Sequence, residues 1–225
     1  MHCYELLEFR CDTVTRKARC IAYLQDVIGP ALSRAGATPV GLFDPGEALS
    51  LFVLAVYGSL AEYADVRARL HEDQAYMGPP DAPETPADRD YDEVVSSLMT
   101  AFPGMPEVAV PASVPGRIYQ LRIYESPTAE AGKRKIGMFH AGEMDLFARV
   151  GLDAVFFAES LTGPRLPNLT YMLSFPDRDA QRAAWSMFVQ HPDWKRMIGQ
   201  PHYSDEVIIR NITNIELTAL PGSQI

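Results

Sequence analysis

Glu143 and His140 stand three residues apart in a stretch whose other periodic residues, Ile136, Phe139, Leu146 and Val150, are apolar. On a helix, residues three apart are neighbours, and at about 100° per residue Glu143 falls near the centre of the apolar arc. A carboxylate on an apolar face has its pKa raised unless it is paired, and a histidine one turn away is the nearest partner. The chemistry this allows is proton transfer, with His140 as general acid or base oriented by Glu143. Phe139 and Phe147, on the same helix, would hold a hydrophobic substrate. The alternative is structural: Glu143 bends to solvent where Gly137 and Gly142 loosen the helix. Each of those glycines costs roughly 1 kcal/mol relative to alanine, and each leaves space beside the helix.

A second cluster lies just upstream. Tyr119-Gln120-Leu121-Arg122-Ile123-Tyr124 alternates as a strand, which puts Arg122 and Tyr124 on one face and Tyr119 on the other. A guanidinium on a central strand needs a partner. That partner is a substrate carboxylate or enolate on one reading, and an acid such as Glu125 or Glu143 on the other. His191 and Trp194 close the segment after the second helix of this half and complete the set of substrate-contacting candidates. For His191 the competing reading is a helix boundary broken by Pro192. No phosphate-binding loop, dinucleotide fingerprint or nucleophile elbow occurs. No histidine, cysteine and carboxylate spacing fits a metal site, so no metal and no cofactor are expected. Heme stays open, with His140 or His191 as its ligand.

The elements that must position these residues occur twice. Tyr4-Glu5-Leu6 returns as Tyr119-Gln120-Leu121, and Arg34-Ala35-Gly36 returns at the same offset as Arg149-Val150-Gly151. His71-Glu72-Asp73 is echoed by His191-Pro192-Asp193, and Asp92-Glu93-Val94 by Asp205-Glu206-Val207. A repeat of roughly 110 residues is too long for a solenoid and makes each copy a small α+β unit. In the first copy, strands are expected over residues 4–9, 39–43, 51–57 and 94–102. One helix is expected from Thr13 to Ala35 and another after Ser59, whose Glu62 completes a capping box. The proline-rich residues 78–90 read as a surface loop. In the second copy, strands are expected over 118–124, 154–158, 169–175 and 208–217, with helices ending at Arg149 and Gln190. The order β-α-β-β-α-β is that of a ferredoxin-like unit. The domains are then 1–104 and 117–225, joined by a linker at 105–116. Two such sheets can cover one another's bare faces and close into a barrel.

The chain has 225 residues and a formal net charge of -9, without a basic run, so nucleic acid and anionic membrane surfaces are not expected partners. Three cysteines, all in the first copy, are too few and too irregular for a disulfide framework and fit a reducing compartment. With no signal-peptide pattern and no long apolar run, the expected location is cytoplasmic.

The second copy, with its Tyr119-Gln120-Leu121-Arg122-Ile123-Tyr124 strand and its His191-Pro192-Asp193-Trp194 segment, resembles the NIPSNAP family. Members open with a Tyr-x-Leu-Arg-x-Tyr strand and carry an Asp-Pro-x-Trp-like segment after the second helix. The resemblance implies a dimeric α/β-barrel fold, here α+β with two tandem ferredoxin-like units forming a pseudo-dimeric barrel. The wider superfamily includes cofactor-independent monooxygenases, heme-degrading monooxygenases and cyclases, with sites between helices and sheet. The first copy departs from the pattern, with Leu7 against Arg122, Phe9 against Tyr124, Gln25 against His140 and Ile28 against Glu143. The expected function is therefore binding of a hydrophobic, aromatic or carbonyl-containing small molecule, or a cofactor-independent enzyme acting on it, in the second copy. The rival is a non-catalytic interaction protein. Homo-oligomers are left open.

Overall fold

In a computed structural model, residues 1–78 and 89–225 are described, so most of the expected loop at 78–90 lies outside them. The eight strands hydrogen-bond in one closed sheet, in the order β1-β3-β2-β8-β5-β7-β6-β4. By contacts the chain divides into two compact units. The first comprises Met1–Thr100, Leu161–Pro164 and Thr218–Ile225; the second comprises Ala101–Ser160 and Arg165–Leu217. Residues 161–164 and 218–225 thus belong with the first repeat, although they lie within the second in sequence.

In the first unit, β1 (Cys3–Arg10) is central. It pairs antiparallel with β3 (Ser50–Tyr57), Leu7 facing Val53, and with β4 (Glu93–Ala101), Leu7 facing Ser96. On the far edge of β3 lies β2 (Val40–Asp44), whose last residues pair with Thr218 and Ala219. Thr13 caps α1 (Val14–Tyr23) by accepting from the Arg16 amide at 3.2 Å. A π turn (Leu24–Ile28) leads into α2 (Gly29–Ala35). Cys20, Leu24, Ile28, Ala31, Leu32 and Ala35 are buried in a cluster that includes Leu7, Phe9 and Val53. Ser59 caps α3 (Leu60–Leu70), accepting from Glu62 N at 3.1 Å while Glu62 accepts from Gly58 N, and a short α4 (Gln74–Met77) follows.

The second unit repeats the arrangement. β5 (Ile118–Glu125) lies between β7 (Asn168–Phe175) and β8 (Asn211–Ala219), and β6 (Asp153–Thr162) flanks β7 with a bulge between Ala154 and Phe156. Thr128 caps α5 (Ala129–Met138), a π turn (Phe139–Glu143) follows, and α6 (Met144–Val150) completes the first helix. Asp177 caps α7 (Arg178–Gln190), and α8 (Pro192–Ile198) starts directly after it. The last strand begins later than expected, because Asp205–Ile208 forms a helical turn, α9. Residues 105–116 carry no regular element, and Ala109 donates its amide to Val155 of β6 at 2.8 Å.

The π turns change which residues share a face. Each inserts one extra residue into the helical count, so a wheel drawn at a constant angle loses register across it. In the second unit, Gly142 inside the turn adopts φ +135°, a left-handed conformation that only glycine takes cheaply. This kink separates the faces that the sequence had placed together.

Candidate functional site

The kink has a direct consequence for the expected proton-transfer pair. Glu143 is buried, but its partner is Lys135, whose Nζ donates to Glu143 Oε2 at 2.9 Å and to Oε1 at 3.2 Å. His140 is exposed, its ring tilted against that of Phe102 with centroids 5.2 Å apart, and neither hydrogen-bonds nor ion-pairs with Glu143. The expected orientation of His140 by Glu143 is therefore corrected: a lysine one helix earlier takes that place. Burial pushes the Glu143 pKa up, and the charge and hydrogen bond of Lys135 oppose the shift. Lys135 is only 1% exposed, and its ammonium lies over the rings of Phe139, Tyr124 and Trp194 at 4.6, 5.3 and 5.7 Å.

Of the other expected residues, Tyr124, Phe139 and Trp194 thus surround this pair. Phe139 and Phe147 are wholly buried in a cluster with Phe157, Tyr171 and Phe188. The Tyr171 hydroxyl donates to the Tyr124 hydroxyl at 3.2 Å, and burial raises the Tyr124 pKa to about 12. Trp194 packs on Phe188 at 4.4 Å. His191 caps α8, its Nδ1 accepting from the Asp193 amide at 3.1 Å. The carboxylate of Asp193 is bound by Arg149 and Arg196, which holds its pKa down. Arg122 is not ion-paired with Glu125 or Glu143. Its guanidinium lies 4.6 Å from the Trp185 ring and 5.2 Å from that of Tyr124, and its buried Nε has no hydrogen-bond partner among the described residues.

In the first unit the space between helices and sheet is open. A cleft of about 240 Å³ is bounded by Glu5, Leu7 and Phe9 from β1, Tyr23 and Ile28 from the first helix, and Arg67 from α3. Tyr76, Tyr91 and Val94 complete its walls. Strand alternation explains Glu5: it shares the helix-facing side with Leu7 and Phe9. It is 2% exposed and held by two hydroxyls, Tyr57 OH at 3.0 Å and Ser96 Oγ at 2.9 Å. Burial, followed by the neighbouring Glu5, pushes the Tyr57 phenol well up, which keeps it protonated and able to donate. No hydrogen bond or ion pair joins Arg67 to any described residue. Burial works against its charge, but Glu5 and the surrounding tyrosines more than offset this, leaving the guanidinium pKa raised. A buried, hydroxyl-bound carboxylate and an unpaired guanidinium can accept a proton from a ligand and hold an oxygen that carries negative charge.

Sequence reasoning passed over this cleft because it ranked the two repeats by their polar residues on β5 and the first helix. Glu5 was in view as part of the repeated tripeptide. Its alternation with Leu7 and Phe9 was the available signal.

The NIPSNAP family's sequence model matches residues 119–224. The second repeat is a NIPSNAP domain. Among curated proteins, none matches the chain. Among solved structures, a provisionally named monooxygenase from Fusobacterium nucleatum is similar over 97% of this chain and 92% of its own, at TM-score 0.58 and 11% identity. An anthrone oxidase-like protein is similar over 97% and 91%, at TM-score 0.59 and 11% identity. A provisionally named monooxygenase from Lactobacillus acidophilus gives 97% and 93%, TM-score 0.54 and 10% identity. At such identities these likenesses establish the shared fold. Compared with the first repeat, the NIPSNAP domain has exchanged its cleft residues. Gln120 stands where Glu5 does, Arg122 where Leu7 does, and Trp185 lies as far from its helix cap as Arg67 does. The guanidinium has moved from helix to strand, and the rings and the Lys135–Glu143 pair occupy the space between them.

Proposed function

We propose that the protein binds a small hydrophobic molecule, aromatic or carbonyl-containing, in the helix–sheet cleft of the first repeat. There it acts as a cofactor-independent enzyme of the monooxygenase, cyclase or isomerase type. Each repeat is read as a ferredoxin-like unit. The observation that carries the proposal is the presence, in one cleft of about 240 Å³, of the buried Glu5 carboxylate and of the Arg67 guanidinium, which makes no hydrogen bond or ion pair to any described residue. Glu5 is the proton acceptor in this reading, Tyr57 and Ser96 fix its orientation, and Arg67 receives the oxygen on which charge develops. The names of the structural neighbours, monooxygenase and anthrone oxidase-like, support chemistry of this kind on the shared fold.

A second reading rests on the unpartnered Nε of Arg122, which would place a ligand beside Trp185 and Tyr124 in the second repeat. One experiment separates the two. Amide shifts of the labelled full chain are followed while 1-tetralone, a small aromatic ketone, is added. The proposal expects shifts confined to β1, the first helix and α3, lost in Ile28→Trp, which fills the cleft. Shifts centred on β5 and α7 would replace it with the second reading. The absence of any shift at millimolar ketone would sink both.

A further inference from the structure

The walls of the first-repeat cleft specify its ligand more narrowly. Resting on the cleft reading above, we infer that this cleft takes a small aromatic carboxylic acid, with its carboxylate on Arg67 and its ring against Phe9, Tyr23 and Tyr91.

The charge argument starts with what is already satisfied. Both oxygens of Glu5 accept a hydroxyl hydrogen bond, so the carboxylate is held without outside help. Arg67 lines the same cleft with no hydrogen-bond or ion-pair partner among the described residues. A guanidinium presents a planar fork that matches a carboxylate with two parallel bonds, a fit that an ammonium or a neutral group does not offer. A cationic ligand would be repelled by Arg67, and a doubly charged anion would meet Glu5 as well. A single carboxylate answers Arg67 while adding the least negative charge beside Glu5.

Shape and surface select the rest of the molecule. The Phe9 and Tyr91 rings meet edge to face at 5.2 Å, and Tyr23 tilts against Tyr91 at 5.9 Å. Such a wall offers ring edges and faces at which a further aromatic ring gains more than its buried area. The cleft, at about 240 Å³, lies below the range of roughly 300–1,000 Å³ typical of drug-sized ligands, which limits the guest to one ring or two fused rings.

Grooves elsewhere make no comparable demand. The groove of about 480 Å³ beside Trp185 has its polar floor already joined: Trp185 Nε1 donates to Gln120 at 2.7 Å, and Gln120 donates to Asn214 at 2.8 Å. In the groove beside α8, Arg149 and Arg196 both bind Asp193.

The test is calorimetric titration of the full chain with 2-naphthoate, its neutral isostere 2-naphthamide, and saturated decalin-2-carboxylate. The inference expects 2-naphthoate to bind at least about tenfold tighter than the amide, as a charge-assisted bond predicts, and tighter than the saturated acid. Arg67→Gln should erase the acid's advantage over the amide, Arg67→Lys should restore part of it, and Ile28→Trp should abolish binding of both. Val94→Phe, narrowing the cleft from the other wall, serves if Ile28→Trp does not fold. Equal affinity for acid and amide, lost in the filled variant, would overturn the ligand class and leave the cleft reading standing. Affinity that survives filling would overturn both. No binding of the acid at millimolar concentration would also overturn the inference, while ketone mapping tests the cleft separately.

Discussion

The Lys135–Glu143 pair is the residue with most at stake in the NIPSNAP domain, because both side chains are almost wholly removed from water. Taking two charges out of water costs about as much as their attraction returns, so the pair is a weak source of net stability but a heavy loss when broken. Lys135→Met should destabilise the protein by about 3–5 kcal/mol, and Lys135→Met with Glu143→Leu should recover most of that loss, as read by denaturant unfolding. The pH dependence follows from the raised Glu143 pKa. A folded state that holds this proton more tightly than the unfolded chain is stabilised below the ordinary carboxylate range and loses that contribution as pH rises through the folded value. As pH rises above the ordinary carboxylate range, wild type should therefore lose stability relative to Glu143→Gln; a parallel pair of curves would refute the direction of the shift. Reading the sequence found Glu143 as an anomalous carboxylate on an apolar face. It assigned the wrong partner because Lys135 and Glu143 are joined only when the helix between them kinks.

That kink belongs to the scale of the element. Helix starts in the first copy were legible because their signals are local: Thr13 and Ser59 each bond a first-turn amide where the sequence placed a helix. The π turns were not, since no single residue type announces an extra residue in a turn. Both first helices carry one at matching positions, but only the NIPSNAP domain has a glycine in it at φ +135°. The two glycines of this segment should consequently respond in opposite ways. Gly137 sits in α5 with nothing within 4 Å of an added Cβ, so Gly137→Ala should stabilise by about 0.5–1 kcal/mol. Gly142→Ala forces a side chain into left-handed backbone and should cost about 1–2 kcal/mol, also expelling Glu143 from its position beside Lys135. Thermal melts of the two variants check the sign, and equal shifts would mean that the kink relaxes freely.

At the scale of the whole chain, the repeated order of strands and helices was visible in three landmarks that fall at equivalent places, but the fourth does not correspond: Asp92-Glu93-Val94 enters β4, whereas Asp205-Glu206-Val207 lies in α9. The division into compact units was not visible, because it depends on hydrogen bonds between residues far apart in sequence. The last eight residues show why. Within the first unit, Leu220 donates its amide to Leu42 O at 2.9 Å and Gln224 donates to Val40 O at 2.9 Å. In return, the amides of Val40 and Leu42 donate to the side chains of Gln224 and Ser223 at 2.7 and 3.0 Å. This segment therefore satisfies the outer edge of β2, a row of backbone groups that would otherwise be open to other chains. A chain ending at Leu217 should keep the protection of β5 and β7 while the amides of Val40 and Leu42 exchange with solvent far faster, and it should self-associate as concentration rises. Hydrogen exchange with site resolution distinguishes this from general loosening: loss spread evenly over β1, β5 and β7 would mean that the tail supports the entire sheet rather than the edge it covers.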